Sequence, residues 1–539
     1  MLLNLARAAV LLGALLAGAP GDATAQTTFQ ETIGLGSYSE GYSILASPSG
    51  GYAITGRAGA NFNDDVLLVR TTSAGDTLWT RRWQFGGNEY GFGVVPAVGG
   101  GYVVGGFTNG VGAGSDDAVL IKVNEAGATQ WARTYGLSHS DQLWSLQATS
   151  DGGCIAAGYT SELGAGNYDF LLFKTDASGN LSWLRTYGGE AGDQGFAVCQ
   201  TSDQGFAIAG STASFGVAAP KIFVVRTDAT GGLLWAKTYG GASTEEGSGI
   251  VQTADGGFAI AGRTISFGAG GNDFLLIKTN ATGDVQWART YGGPGGESKV
   301  SMRMTPSGGF ALTAATSSFG AGLLDGYFVS VDAVGSVLLS RTFGAGDQEL
   351  GYSSVPMPDG GFAITGTAKS FGPLFTSLLL LKTDSTGSAG CFGATAATST
   401  GPVSLDVVAR GPVVTAPAFV TNTAPYTLFS GGFTDVQCRT IVAVPASEAP
   451  GTPLVALPNP AESSASLHFQ IELATRVDLS ITAADGSIVR RLVHSELPAG
   501  RHVIAWDGLD AAGRRAPRGV YFARLIHSGQ SSATKIVLR

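Results

Sequence analysis

Five tryptophans stand at one fixed interval along the chain. Trp79, Trp131, Trp183, Trp235 and Trp287 are each 52 residues apart, and Leu339 and Cys391 continue the series. Two glycine series accompany them: Gly51, Gly101, Gly153, Gly205, Gly257, Gly309 and Gly361, and Gly75, Gly127, Gly179, Gly231, Gly283, Gly335 and Gly387. A repeat of this size is one supersecondary unit that cannot bury its apolar face alone and must stack on its neighbours. The stretch from Glu246 to Gly293 spells the unit out. Strand patterns read Gly249-Ile-Val-Gln-Thr253, Asp255-Gly-Gly-Phe-Ala-Ile-Ala-Gly262, Asp273-Phe-Leu-Leu-Ile-Lys-Thr279 and Gly283-Asp-Val-Gln-Trp-Ala-Arg-Thr-Tyr-Gly-Gly293. Each is short and fenced by Gly, Asp or Asn, which predicts a four-stranded antiparallel sheet.

The strand chemistry says how such sheets stack. In the second strand Phe258 and Ile260 project to one face, Ala259 and Ala261 to the other. A bulky face can then meet a small-residue face on the next sheet. Phe274-Leu-Leu-Ile277 is apolar on both faces, as a strand covered on both sides must be. The segment Phe29-Gln-Glu-Thr-Ile-Gly34 reads as a fourth strand without its first three, and seven three-strand sets follow it, ending near Lys382. The N-terminal strand therefore completes the last set. The expected fold is all-β: a seven-bladed β-propeller over residues 26–393, with an open solenoid of small sheets as the alternative.

Composition agrees with an ordered β-protein rich in tight turns, with 82 Gly and 14% charged residues in 539. A net charge of −9 offers no basic surplus to phosphates, so nucleic acid is not an expected partner. Residues 1–25 read as a signal peptide: Arg7 precedes the apolar run Ala8 to Ala17, and Ala23-Thr-Ala25 precedes a cleavage point between Ala25 and Gln26. That run is too short to span a bilayer, no later stretch qualifies as a transmembrane segment, and no cysteine at the cleavage point supports lipidation. The protein is expected to be exported, extracellular or on the outer cell surface. Export permits disulfides, and Cys391 and Cys438, flanking one segment, are the expected pair. Cys154 and Cys199 occupy apolar positions of the repeat and read as small buried hydrophobes.

The phrase Asp228-Ala-Thr-Gly-Gly-Leu-Leu-Trp235, with counterparts at Asp176 to Trp183 and Asn280 to Trp287, resembles the tryptophan-docking motif of quinoprotein-type propellers. The resemblance implies that Trp79, Trp131, Trp183, Trp235 and Trp287 lock one blade against the next. It does not bring a recognisable set of cofactor or calcium ligands, and those enzymes typically have eight repeats. Cations recur at Arg70, Lys122, Lys174, Arg226, Lys278 and Lys382, and again at Arg81, Arg133, Arg185, Lys237, Arg289 and Arg341. Local pairing with the repeated acids is the expected use, not an anion-binding ring. Asp65, Asp117, Asp169, Asp273 and Asp325 precede the third strand; calcium is conceivable there, but turn hydrogen bonds suit the spacing better. The loops Ser214-Phe-Gly216, Ser266-Phe-Gly268, Ser318-Phe-Gly320 and Ser370-Phe-Gly372 predict a phenylalanine latch onto the adjacent blade. Lys221, Ser377, Val217-Ala-Ala-Pro220 and Pro373-Leu-Phe375 break the pattern, so a specific site is expected at those irregular loops.

Residues 394–440, rich in Ala, Thr, Val and Pro, read as an extended or hairpin appendage closed by Cys438, and 441–453 as a Pro-rich linker. Residues 454–539 gain Arg and lose the repeat. Strand patterns at Ser466–Ile471, Val477–Ile481, Val489–Leu492, His502–Trp506, Val520–Leu525 and Lys535–Leu538 predict a small Ig-like β-sandwich. The phrases Pro458-Asn-Pro460, Asp485-Gly486, Leu497-Pro-Ala-Gly500, Trp506-Asp507-Gly508, Gly519-Val-Tyr521-Phe522 and Lys535-Ile-Val-Leu-Arg539 resemble the C-terminal sorting domains of type IX secretion cargo. They also resemble the Ig-like domain of flagellar hook-capping proteins, toward which Trp506-Asp507-Gly508 leans. The resemblance implies secretion machinery as a partner, then release or surface attachment; a purely structural Ig-like module is the alternative.

Two functions follow. One is a non-enzymatic scaffold binding an unknown glycan or protein, with no cofactor; the other is a quinone-dependent or glycan-acting enzyme delivered by the same tail. His139 is the only histidine outside the tail, so a triad or multi-histidine metal site is poorly supplied. Glu162, Glu190, Glu245, Glu246, Glu297 and Glu349 fall in or near loops, with Glu245-Glu246 reading as a solvated turn. Near-perfect repetition favours the scaffold, because a catalytic site must break symmetry.

Overall fold

The computed structural model describes residues 26–442 and 455–538, apart from 36, 61–62, 217–218, 299, 372–374, 391–392, 412, 416–419, 424–426, 430–432, 458–463, 472–473, 484–486 and 528–529. Among these residues there is strand and turn but no helix. The signal peptide with Ala25, most of the linker and Cys391 lie outside the described residues. Two compact units separate between Val442 and Ala443.

The larger unit holds seven five-stranded antiparallel sheets. The first four strands of sheet 3, for instance, are Asp141–Ala148, Cys154–Thr160, Asp169–Thr175 and Leu181–Gly188. Those of sheet 5 are Glu245–Gln252, Phe258–Thr264, Asp273–Thr279 and Val285–Gly292, so its first strand starts four residues before the apolar pattern does. In sheet 7, Glu349–Pro356, Phe362–Ala368 and Ser377–Lys382 are completed by the N-terminal Gln26–Gly34, with Phe29 opposite Lys382 and Ile33 opposite Leu378.

Seven apolar clusters join each sheet to the next. The one between sheets 7 and 1 sets Phe29, Leu378 and Leu380 against Ile44, Ile54 and Leu67, and the Leu378 N–H donates to Ser39 Oγ at 3.1 Å. Between sheets 4 and 5, Ala207 and Ala209 meet Phe258 and Ile260, the small-against-bulky packing read from the repeat. A turn from each sheet reaches back to its predecessor. Tyr135, Tyr187, Tyr239 and Tyr291, all fully buried, donate their hydroxyls to the carbonyls of Gly179, Gly231, Gly283 and Gly335 at 2.6–2.8 Å. In sheet 1 the equivalent residue is Trp83, whose indole N–H donates to Thr129 Oγ1 at 2.9 Å.

The repeated tryptophans cover the same turns. Trp79, Trp131, Trp183 and Trp235 lie over Gly127, Gly179, Gly231 and Gly283, where a Cβ would come within 3.0 Å of the indole. These glycines also hold φ of 75° to 81°, so both backbone and space require glycine there. The indoles are half-buried, Trp287 included. Tyr102, Phe206 and Phe258 flank Trp79, Trp183 and Trp235 at centroid distances of 5.6–6.5 Å.

The described residues of 394–440 form no appendage. They run past the sheets in reverse order, adding an antiparallel outer strand to each: Gly393–Thr395 to sheet 6, Ser399–Pro402 to 5, Asp406–Ala409 to 4, Val413–Thr415 to 3, Val420–Thr423 to 2 and Thr427–Phe429 to 1. Phe433–Val442 finishes on Gln26–Gly34 of sheet 7. The hairpin alternative fails for a physical reason: every sheet offers an open fourth-strand edge, and the belt satisfies those backbone groups.

The smaller unit pairs Val455–Leu457, Ala465–Ile471 and Gly500–Trp506 in one sheet. Ile488–Leu497, Thr475–Ala483, Gly519–His527 and Gln530–Leu538 form the other. One core draws on both, with Trp506, Leu467, Leu479 and Ile536 fully buried. The tail phrases are parts of it. The Trp506 indole donates to Leu509 O at 3.0 Å, and Asp507 accepts from Leu509 N and Arg490. Gly508 has φ 72°. Tyr521 stacks edge-on against Trp506 and donates to Pro517 O at 2.6 Å. Gly519 opens a strand whose Phe522 lies opposite Lys535.

Tyr239→Phe removes the donor to a buried carbonyl and is expected to cost about 1–2 kcal/mol. Trp235→Ala, truncating a half-buried ring, is expected to cost about 2–3 kcal/mol rather than the full-burial figure. Urea midpoints of the two variants against the parent check both numbers.

Candidate functional site

The first strands of all seven sheets line one cavity of about 650 Å³. In six of them the register slips by one residue, at Gly41/Ser43, Gly91/Gly93, Leu143/Ser145, Gly195/Ala197, Gly247/Gly249 and Gly351/Ser353. A bulge leaves one residue unpaired and re-aims its side chain. Those residues are Tyr42, Phe92, Trp144, Phe196, Ser248 and Tyr352, and each lines the cavity. Five are aromatic and form a continuous arc from sheet 7 through sheets 1, 2 and 3 to sheet 4. Tyr352 meets Tyr42 edge-on at 5.1 Å, and Tyr42 stacks on Phe92 at 5.1 Å. Phe92 stacks on Trp144 at 4.4 Å, and Phe196 meets Trp144 edge-on at 5.7 Å. All five are half-buried, with ring surface left toward the cavity. Sheets 5 and 6 put Ser248 and Val300 there, so the arc is open on that side.

Charge in the cavity is as uneven. Arg57 donates to Glu40 at 3.0 Å and Asp64 at 2.9 Å, between the rings of Tyr38 and Tyr90. The Tyr42 hydroxyl also donates to Glu40. Burial, then the Glu40 charge, raises the Tyr42 phenol well above its ordinary value and pushes Tyr352 up to about 12, so both remain donors. Arg303, on the short strand Ser301–Met304 of sheet 6, lines the cavity with only a 3.4 Å contact to Met302 O. Ser145 Oγ and Gln147 Oε1 accept from Val198 N and Gln200 N, tying neighbouring inner strands together.

The residues singled out in the sequence lie elsewhere. Lys174, Arg226, Lys278 and Lys382 pair with Asp151, Asp203, Asp255 and Asp359 at 2.5–2.9 Å. In the second cation series, Arg81 and Arg289 donate to carbonyls of the next sheet's turn, and Lys237 pairs with Asp284 at 2.7 Å. Asp117, Asp169, Asp273 and Asp325 accept from loop N–H groups at Gly114, Gly166, Ala269 and Gly322. The latch loops set Phe215, Phe267 and Phe319 against Gly189, Gly241 and Gly293 of the connection from the preceding sheet. Glu245 is no solvated turn: it is fully buried and pairs with Lys221 at 3.3 Å. In sheets 2, 3, 5 and 6 the Lys221 position is an aspartate, giving acid pairs around one glycine, such as Asp169 and Asp193 beside Gly188. His139 is exposed beside Glu162 at 3.2 Å. Cys154 and Cys199 are free and buried, which pushes their thiols up to about 11 and about 12. Among the described residues no three His, Cys, Asp or Glu side chains gather as a metal site, and no helix is long and apolar enough to cross a membrane.

Sequence reasoning passed over the arc because it sought sites in loops. The signal was present as an aromatic at the same place in the period, mostly between two small residues: Gly41-Tyr42-Ser43, Gly91-Phe92-Gly93, Gly195-Phe196-Ala197 and Gly351-Tyr352-Ser353.

Residues 458–527 match the family model described as the FlgD Ig-like domain, so the chain carries a C-terminal Ig-like domain. No curated protein matches the chain. Among solved structures it is similar to PorZ, an essential bacterial surface component of the type IX secretion system of Porphyromonas gingivalis. The identity is 12% and the TM-score 0.35, over 91% of this chain and 58% of that one. Sqt1 from Chaetomium thermophilum aligns at 10% identity and TM-score 0.37, over 66% and 99% of the two chains. Dimeric latent PorU from Porphyromonas gingivalis aligns at 11% and 0.15, over 69% and 31%. The chain thus spans less than two thirds of PorZ, and no function passes from these likenesses to it.

The buried acids fix a pH dependence. Burial pushes Glu89 up to about 7 and Asp141 and Asp169 up to about 6, with Asp193 adding to the rise at Asp169. A carboxyl whose folded pKa exceeds its unfolded value takes up protons on folding. Its contribution is therefore full below about pH 4 and lost as pH rises through about 6 to 7. Lys278 and then Thr253 hold Asp255 down to about 2, so its stabilisation is present above the ordinary carboxylate range and lost only in strong acid. Melting temperature is expected to peak at about pH 5 and fall toward pH 8. Asp169→Asn, whose amide oxygen still accepts from Ala165 and Gly166, should flatten that fall in calorimetric scans.

Proposed function

We propose that the chain is an exported, non-enzymatic binding scaffold: a closed seven-bladed β-propeller that holds a ligand in its axial cavity. On this reading the Ig-like domain presents it to secretion machinery of the type IX kind, for release or attachment at the outer cell surface. The observation that carries the binding reading is the aromatic arc. Repetition makes most of each sheet interchangeable, yet five sheets place aromatic rings at the bulge and two do not. A concave, largely apolar cavity with a few polar groups is the usual form of a ligand site. Closure of the ring is supported by the packing of sheet 7 on sheet 1 and by the N-terminal strand within sheet 7. The non-enzymatic reading is supported by where acids of the repeat are spent: Glu245 on Lys221, Glu297 on Ser318 and Glu349 on Ser370. The export reading rests on the N-terminal signal pattern and the tail phrases.

Glycan-array binding of the full chain is the direct test. Trp144→Ala is expected to weaken captured glycans about tenfold or more, while Trp235→Ala, remote from the cavity, leaves them unchanged. Turnover of any captured glycan would replace the scaffold with an enzyme. In the native host, removing residues 454–539 is expected to leave the protein inside the cell envelope, and surface appearance of the truncated chain would dismiss the sorting role.

A further inference from the structure

Arg303 is the one feature of the cavity that internal packing does not explain. At its place in the period the other sheets carry Leu45, Val95, Gln147, Cys199, Val251 and Val355, all uncharged. The other cavity arginine, Arg57, is neutralised by two carboxylates. Arg263 on sheet 5 pairs with Glu246 at 3.2 Å. Arg303 has a weak contact to its neighbour's carbonyl and no carboxylate partner among the described residues. Its side chain is exposed to the cavity. A positive charge without a carboxylate beside it, set in the wall of a cleft, draws anions into that cleft.

The aromatic arc sets the rest of the ligand. It runs over sheets 7, 1, 2, 3 and 4, whereas Arg303 projects from sheet 6, across the cavity from Trp144. Arg303 also stands three residues beyond Val300, about 10 Å further along the inner strand. A ligand touching both features is elongated, with flat C–H faces for the rings at one level and an anion at another. Phe92 is stacked between Tyr42 and Trp144, so pyranose C–H faces meet the ring surface left open at Trp144 and Phe196. A cavity of about 650 Å³ takes a short oligomer.

We infer that the cavity binds an acidic oligosaccharide, its sugar rings on the Trp144–Phe196 end of the arc and a uronate carboxylate on Arg303. This rests on the axial-cavity reading above and deepens it. Carboxylates pair with guanidinium groups in two parallel hydrogen bonds, which a sugar hydroxyl cannot reproduce, so Arg303 discriminates acidic from neutral chains.

Calorimetric titration of the full chain with an oligogalacturonate, and with a neutral galacto-oligosaccharide of equal length, tests this. The acidic oligomer is expected to bind more tightly and to weaken with salt. Arg303→Gln should reduce its affinity about tenfold and remove most of the salt dependence, leaving the neutral oligomer unchanged. Trp144→Ala should weaken both. Because Arg303 has no ion pair to lose, Arg303→Gln should melt as the parent does. No binding of the oligogalacturonate, equal affinity for the two oligomers, or an Arg303→Gln variant with parental affinity each overturns the acidic-ligand inference. If Trp144→Ala still weakens the neutral oligomer, the axial reading survives that loss; if binding ignores both substitutions, both readings fall.

Discussion

The contact on which this structure depends is the joint between one sheet and the next. No sheet is stable alone, because its third strand is apolar on both faces: Asp169–Thr175 and Asp273–Thr279 are buried along their whole length. The partner sheet supplies the missing cover. At the joint's outer end a tyrosine hydroxyl meets the turn carbonyl of the next sheet while an indole lies on the same glycine. The hydroxyl fixes the register of neighbouring sheets and the indole excludes water from that bond. Glycine is required at the turn by its positive φ and by the closeness of the ring, so one residue type satisfies two constraints at once.

Stacked sheets still leave a free outer edge, and long unpaired edges invite association with other chains. Residues 393–442 cover every such edge in turn. Their strands begin at 393, 399, 406, 413, 420, 427 and 433, a step of six or seven residues. An extended chain of that length reaches about 20–25 Å, enough to move from one sheet edge to the next. The two ends of the larger unit meet in sheet 7, where Gln26 lies opposite Val442. Both termini are thereby tied into backbone ladders, which protects the segments most prone to fray.

Inside the cavity the same repetition is broken on purpose-built positions. A β-bulge costs a sheet one unpaired residue, and six inner strands accept that at the same place. Where the residue is aromatic, its ring joins the arc; where it is Ser248, the wall opens. Symmetry supplies the frame, and substitutions at the bulge and at Arg303 supply direction. The outer acids and bases, by contrast, are consumed locally, as Lys221 illustrates by pairing with the glutamate that elsewhere faces a second acid.

Period, strand content, the completion of the last sheet by Phe29 to Gly34 and the division into a repeat body and an Ig-like tail were all legible in the residues. They depend on local alternation, turn chemistry and equal spacing, which a linear chain carries openly. The tail strands, too, fell within a few residues of their observed bounds. The belt, the tyrosine ties and the aromatic arc were not legible, because each joins residues that share no local pattern. Residues 393–442 have weak strand character and gain it only from the edges they meet. Tyr239 looks like any strand aromatic until Gly283 O stands opposite its hydroxyl. Glu245 reads as polar turn until Lys221, from another strand, neutralises it in the interior. The sequence by itself determined what each unit is and how many there are, because hydrophobic periodicity is written residue by residue. Only the tertiary structure decided which rings face one another and which charge stands alone, because those depend on bulges and on neighbours brought together by packing.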